Sequence, residues 1–389
     1  MADSTLVITR DDALVLDAND DLAHFRGRFH IPNPGVVYLD GNSLGMPPKR
    51  TIERLREVYE DDWATGLIRS WDHWIDYPQR VGDVLAPLIG AAPGEVVVHD
   101  TTTMNVYQLV HAAIALRPGR RTIAISADDF PTDRYVVDGI ANATGHRVQH
   151  GFDDLGDVAV CVRSVIDYRT AELVDVAAET ARAHAAGALV VWDLSHAVGA
   201  IEIDLHACGV QLAIGCSYKF LNGGPGAPAW TYVAAELQPV IEQPIWGWFA
   251  TVDQFAMGPT FQPRPDIARV LLGTPSILAL AAAEVGIALS AEAGMGHIHA
   301  KGRSLTWFAI ELCDQFGLPT PTPRDPDRRG NHVAIAVPNA KAIVQELAGR
   351  GIIFDFREPD IIRAGCSPLT TRFTDVYDGI AAVARLATR

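Results

Sequence analysis

The sequence predicts an α/β fold, with a mostly parallel central sheet in a large domain and a small α+β domain at the C-terminal end. Three observations carry this. Apolar runs suggesting strands recur at residues 96–98, 122–126, 158–162, 189–193, 212–216 and 229–233. Several are continuously apolar, as expected of strands covered on both faces. Stretches of 3.6-residue periodicity lie between the first five, so strand and helix alternate.

Residues 10–29 read as a helix or arm, and 36–45 as a short strand breaking into a turn. Pro47-Pro48 opens a helix running to about Gly66. A loop rich in Trp and Asp covers 70–77, and another helix reaches Ile89. The six strands and their helices follow. The turn from Lys219 to Ala229 is short, which suits antiparallel pairing of the last strand. A loop rich in Pro, Phe and Gly extends to Pro275, and one long helix is expected from about Ser276 into the 310s. The stretch from Pro319 to Asn331, rich in Pro, Arg and Asp, marks a boundary. Beyond it, 332–337, 340–349, 352–356 and 361–363 read as a small α+β unit closed by a helix from Thr374. The expected division is an N-terminal segment of the small domain over 1–45, the large domain over 46–320 and the small domain over 321–389.

The 389 residues are 48% apolar with a net charge of −15, a composition of globular proteins with a substantial core. The negative charge argues against nucleic acid and anionic membranes as partners. No basic stretch followed by an apolar core opens the chain, so a cytoplasmic location is expected. The Ala-rich apolar stretch 277–293 is interrupted by Glu284 and reads as a buried helix. Five scattered cysteines without CxxC spacing fit a reducing compartment and give no zinc site or disulfide framework.

The chemistry centres on Lys219. It follows an apolar strand and runs into Phe220-Leu221-Asn222-Gly223-Gly224-Pro225-Gly226. Upstream, a second apolar strand ends in Trp192-Asp193-Leu194-Ser195-His196. Pyridoxal phosphate (PLP) requires an amine for its Schiff base, a carboxylate for its pyridinium nitrogen and a cradle for its phosphate. Lys219 and Asp193 are candidates for the first two, and Thr101-Thr102-Thr103 at the start of a helix for the third. His196 and Tyr218 lie close enough in sequence to flank the ring, and Phe130 follows a strand where an aromatic could stack on it. Taken singly, each residue has a bland reading: a surface lysine, a helix cap, a proline turn. Their order along the chain is what makes them point together. No GxxxxGK[ST], HExxH or GxSxG motif is present, and the Gly-Gly-Pro-Gly run opens no helix as a dinucleotide fingerprint would.

The segments Tyr38-Leu39-Asp40-Gly41-Asn42-Ser43-Leu44-Gly45, Phe130-Pro131-Thr132-Asp133, Asp193-Leu194-Ser195-His196-Ala197-Val198-Gly199, Ser217-Tyr218-Lys219-Phe220-Leu221-Asn222 and Gly247-Trp248-Phe249 together resemble the kynureninases. The resemblance runs from about Phe25 to the C-terminal helix. It implies the PLP-dependent fold type I of the aspartate aminotransferases and hydrolysis of L-kynurenine to anthranilate and L-alanine. By the same resemblance Lys219 carries the cofactor, Asp193 binds its pyridine nitrogen and Phe130 stacks on its ring. Thr102, Thr103, Asp133, Ser164, His196 and Tyr218 are the remaining contacts, with Tyr218 also a candidate for activating water. Trp248 and Thr274 reach the phosphate from a neighbouring subunit, which implies a homodimer. Arg363 grips the substrate α-carboxylate, with Asn42 and Ser43 beside it, and Trp71, Gly273 and Thr274 line the aryl pocket. Ala250, Arg169-Thr170-Ala171 and Cys366 depart from the family's pattern. Cys366 leaves an alternative open, a cysteine desulfurase or β-lyase of the same fold with this thiol as sulfur acceptor, which would require an accessible thiol of low pKa.

Overall fold

The computed structural model describes residues 7–31 and 35–388. Its centre is a seven-stranded sheet. The strands, after β1 (Val37–Tyr38), are β2 (Val96–Val98), β3 (Thr122–Ile125), β4 (Arg147–His150), β5 (Val158–Ser164), β6 (Leu189–Asp193), β7 (Leu212–Gly215) and β8 (Trp230–Val233). Their order is β2-β8-β7-β6-β5-β3-β4. All run parallel except β8, which is antiparallel to both neighbours, β2 and β7. Every residue of β2, β3, β6, β7 and β8 is buried, in keeping with their unbroken apolar runs. The helix Thr102–Ala115 starts where Thr101 Oγ1 accepts the Met104 amide at 3.3 Å. The helix Pro131–Thr144 has proline in its first turn and ends at Gly145 in the left-handed region, φ 74°.

Four sequence expectations need correction. Strand β4 is not among the expected strands; its four residues are half-buried or exposed and lie on the sheet edge, so they lack an apolar run. No helix joins β6 to β7. Residues 194–211 form turns, buried as far as Ile201; a Cβ on Gly199 (φ 74°) would lie 3.0 Å from the Phe220 carbonyl carbon, so this stretch runs too close to the Lys219 loop for helical side chains. The helix opened by Pro48 is α-helical only over Lys49–Glu57 and continues as a π-helix, Val58–Gly66; short helical turns, Leu67–Ser70 and Trp71–Trp74, replace part of the expected loop. The single long helix is two, Ile277–Ala293 and Met295–Gln315, bent by 85° at Gly294. No single described helix is long and apolar enough to cross a membrane, and Ile277–Ala293 is a core helix packed on the Lys219 loop.

A second core gathers the C-terminal elements. Strands β9 (His332–Ala336), β11 (Asp355–Arg357) and β12 (Ile361–Gly365) form an antiparallel sheet in the order β11-β12-β9. Strand β10 (Ile352–Ile353) pairs in parallel with β1. The N-terminal helix Arg10–Ala18 joins this core through Ala13. Asp17 accepts the Phe373 amide at 2.6 Å and so caps the closing helix Phe373–Ala387. The segment after β1 then crosses to the central sheet, where the Gly45 amide donates to the Tyr218 carbonyl at 2.8 Å. A Cβ on Gly45 would lie 2.3 Å from the Lys219 carbonyl oxygen, so only glycine fits.

Candidate active site

The carboxyl ends of β3, β5, β6 and β7 point to one side of the sheet, the usual position of ligand sites in open α/β folds. Phe130 follows β3, Ser164 ends β5, Asp193 ends β6 and Lys219 follows β7. Lys219 is only 8% exposed. Its Nζ lies 3.4 Å from His196 Nε2 and 5.8 Å from the ring centroids of Phe130 and Tyr218. Gly286 of the core helix would meet the Leu221 carbonyl at 2.1 Å if it carried a Cβ, so helix and loop are in backbone contact.

Behind the lysine lies a nest of three buried carboxylates, Asp129, Asp133 and Asp193. Burial lifts the Asp129 carboxyl to about 6, against the hydrogen bond from Ser164 and with the Asp193 charge adding to the rise. Burial first, then the charges of Asp193 and Asp129, hold Asp133 well above the carboxylate range. Neither Asp133 oxygen has a hydrogen-bond partner among the described residues, as befits a buried carboxyl held protonated beside Asp193. Asp193 Oδ1 accepts the Ser195 amide at 2.7 Å, and among the described residues no Lys or Arg forms an ion pair with Asp193. His196 is buried and, beside Lys219, titrates well below the histidine range, so its imidazole is neutral. Burial, with Cys216 and Asp193 nearby, raises the Tyr218 hydroxyl, which stays protonated at neutral pH.

The Asp129 shift sets a pH signature. Its folded value, about 6, exceeds the ordinary value near 3.9, so ionisation costs stability in the fold. The cost is absent below about pH 4, grows through about pH 6 and is complete above it. Asp129→Asn should stabilise the protein by roughly 1–3 kcal/mol at pH 8, with the gain shrinking towards zero near pH 4. Denaturant titrations at the two pH values measure this, and an equal gain at both would refute it.

Arg363, in β12, is 1% exposed and faces Asn42, Ser43, Tyr168 and Asp355. Three of these four lie outside the neighbourhood of Arg363 in sequence, so the arginine joins the β1 segment to the β5 loop. Asp129, Tyr168 and Asp355 were missed by the sequence reading. Asp129 stands next to Phe130, and Asp355 alternates with Arg357 on a strand, but neither pattern signals a site before the chain folds. Trp71 lies 6.3 Å from Trp248 and 6.0 Å from Phe249, ring to ring, in a separate apolar cluster. Gly273 and Thr274 are exposed, and the hydrogen bond and ring contacts of Lys219 Nζ among the described residues are with His196, Phe130 and Tyr218, not with Trp71, Trp248 or Thr274. Cys366 is fully buried, and burial pushes its thiol up to about 12, the reverse of what a sulfur acceptor requires.

This site fits PLP. The uncompensated Asp193, flanked by a protonated Asp133, suits a pyridinium N–H. The amides of Thr102 and Thr103 open the helix Thr102–Ala115 without protein partners among the described residues, and both residues are accessible, as a phosphate cradle requires. The fold agrees: a cysteine desulfurase from Thermococcus onnurineus superposes with a TM-score of 0.80, covering 99% of each chain at 17% identity. Fold and site define a PLP-dependent enzyme of fold type I. A family model, the kynureninase C-terminal domain, matches residues 298–383. The kynureninase of Pseudomonas fluorescens is 41% identical over 98% of this chain and 96% of its own length. That of Burkholderia pseudomallei is 40% identical over 96% and 94%. The chain belongs to the kynureninase family.

Proposed function

We propose that this protein hydrolyses L-kynurenine at its Cβ–Cγ bond, releasing anthranilate and L-alanine. One observation carries the reading: a buried lysine beside a neutral histidine, above a carboxylate nest, in the same fold as a buried arginine ringed by Asn42 and Ser43. The relatives named above supply the substrate class. Bound PLP supplies an electron sink for charge developing on the substrate. Asp193 holds the pyridine nitrogen protonated, with Asp133 as the neutral partner that tempers the local negative charge. Lys219 moves protons at the substrate Cα, and neutral His196 accepts a hydrogen bond from Nζ. The Tyr218 hydroxyl, kept protonated by its surroundings, is suited to donate a proton to an oxygen of the substrate and poorly suited to take one from water. Arg363 takes the α-carboxylate. We read the working molecule as a homodimer in which Trp248 and Thr274 complete the neighbour's phosphate site; the exposure of Thr274 and the half-exposed Trp248 ring support this. The division at about residues 45 and 320 belongs to the same reading.

The aryl pocket favours kynurenine over 3-hydroxykynurenine. Trp71 offers an indole face and little to satisfy a buried hydroxyl, which costs roughly 1–3 kcal/mol, or about tenfold or more in kcat/KM. Anthranilate fluorescence tests the activity, with sulfide release from cysteine as the control for the desulfurase alternative. No anthranilate would refute the reading, and parity between the two kynurenines would refute the pocket assignment.

A further inference from the structure

We propose that Asp355 is a positioning residue for substrate recognition: it holds the Arg363 guanidinium by one edge so that the remaining donors are presented to the substrate α-carboxylate. The inference rests on the reading of Arg363 as the carboxylate-binding group.

Asp355 and Arg363 are direct cross-strand partners in the β11–β12 ladder. Asp355 Oδ1 accepts from Arg363 Nε at 2.6 Å, and Oδ2 accepts from Nη2. A guanidinium carries five N–H donors in a rigid fork. The Tyr168 carbonyl takes one donor of Nη1 at 2.5 Å. Asn42, with its amide oriented to satisfy both ends, shares Nε at 3.2 Å and Nη2 at 3.1 Å with Asp355. Among the described residues one N–H on Nη1 has no acceptor, and Nη2 reaches Ser43 Oγ only at 3.4 Å. These are the donors left for a second carboxylate.

Asp355 is itself anchored. Ser43 Oγ donates to its Oδ2 at 2.9 Å, and Arg357 Nη2 lies 2.8 Å from the same oxygen. Strand pairing fixes its backbone opposite Arg363. It is therefore a fixed part of the site rather than a temporary occupant that substrate displaces. The two roles differ in sign. Removing an occupant, or simply removing negative charge beside Arg363 and Arg357, would tighten anion binding. Removing a clamp loosens it, because the fork loses its orientation.

The test uses the PLP-loaded enzyme and two ligands followed by the cofactor absorbance band: L-alanine, and L-alaninamide, which lacks the carboxylate charge. Asp355→Asn should weaken L-alanine by about tenfold and L-alaninamide by less than about twofold, with KM for kynurenine rising more than kcat falls. Cofactor affinity should stay as in the wild type. Unchanged or tighter L-alanine binding overturns the proposal, and so do equal losses for both ligands. Asp355→Glu carries the same test if the asparagine variant fails to fold: it keeps the charge but displaces the carboxylate, so L-alanine should again weaken selectively, and wild-type binding overturns the proposal. Arg363→Lys separates the two levels. If it keeps the preference for L-alanine over the amide, the assignment of Arg363 fails and the proposal falls with it. If it loses that preference while the Asp355 variants keep it, only the Asp355 role fails.

Discussion

Lys219→Ala should lower kcat by roughly a thousandfold or more, about 4 kcal/mol of transition-state stabilisation, while the protein stays folded. The chain has four lysines, and the other three are placed elsewhere. Lys49 bonds the Gly27 carbonyl at 2.8 Å, Lys301 is buried in an ion pair with Asp20 at 2.6 Å, and Lys341 lies 3.9 Å from Glu358 on the surface. None can reach the carboxylate nest in its place. Borohydride should fix the cofactor to the wild-type protein at Lys219 alone; a label on another lysine would overturn the assignment. The same variant tests the shared site. Mixed with Trp248→Ala subunits, Lys219→Ala subunits should recover activity through one intact site per heterodimer. No recovery under demonstrated subunit exchange would mean that each chain builds its own site.

Asp193→Asn should leave a coloured protein whose kcat is lower by a hundredfold or more, the order found when one preorganised electrostatic partner is removed (about 10²–10³). An amide can hydrogen-bond the pyridine nitrogen but cannot hold it as a cation. The substitution also removes a charge that raises both Asp129 and Asp133. Both carboxyls should then titrate at lower pH, and the stability gain of Asp129→Asn at pH 8 should shrink in this background. Retention of most of the activity would refute the electron-sink role, whatever happens to the titrations.

Much of the molecule was legible in the residues. Continuous apolar runs located six strands of the central sheet, because burial on both faces demands them. Lys219, Asp193 and Phe130 were readable since each stands at or just past the end of such a run, where side chains converge on one side of the sheet; Ser164, at the end of another, was picked out only by resemblance. The threonine cap at Thr101 marked its helix through local chemistry alone. What escaped was set by contacts between distant segments. The edge strand β4 has no buried face to write an apolar pattern. The turns after β6 answer to the close approach of the Phe220 backbone at Gly199, and the bend at Gly294 to its left-handed φ of 79°; neither leaves a periodic trace. Asp129 reads as an ordinary acidic residue, and nothing in the sequence tells that it and Asp133, named only by resemblance, change protonation on burial beside Asp193. Arg363 was visible as a carboxylate fork only through resemblance. Its clamp by Asp355 appears once β11 and β12 pair, because antiparallel register, not spacing along the chain, puts the two side chains opposite each other.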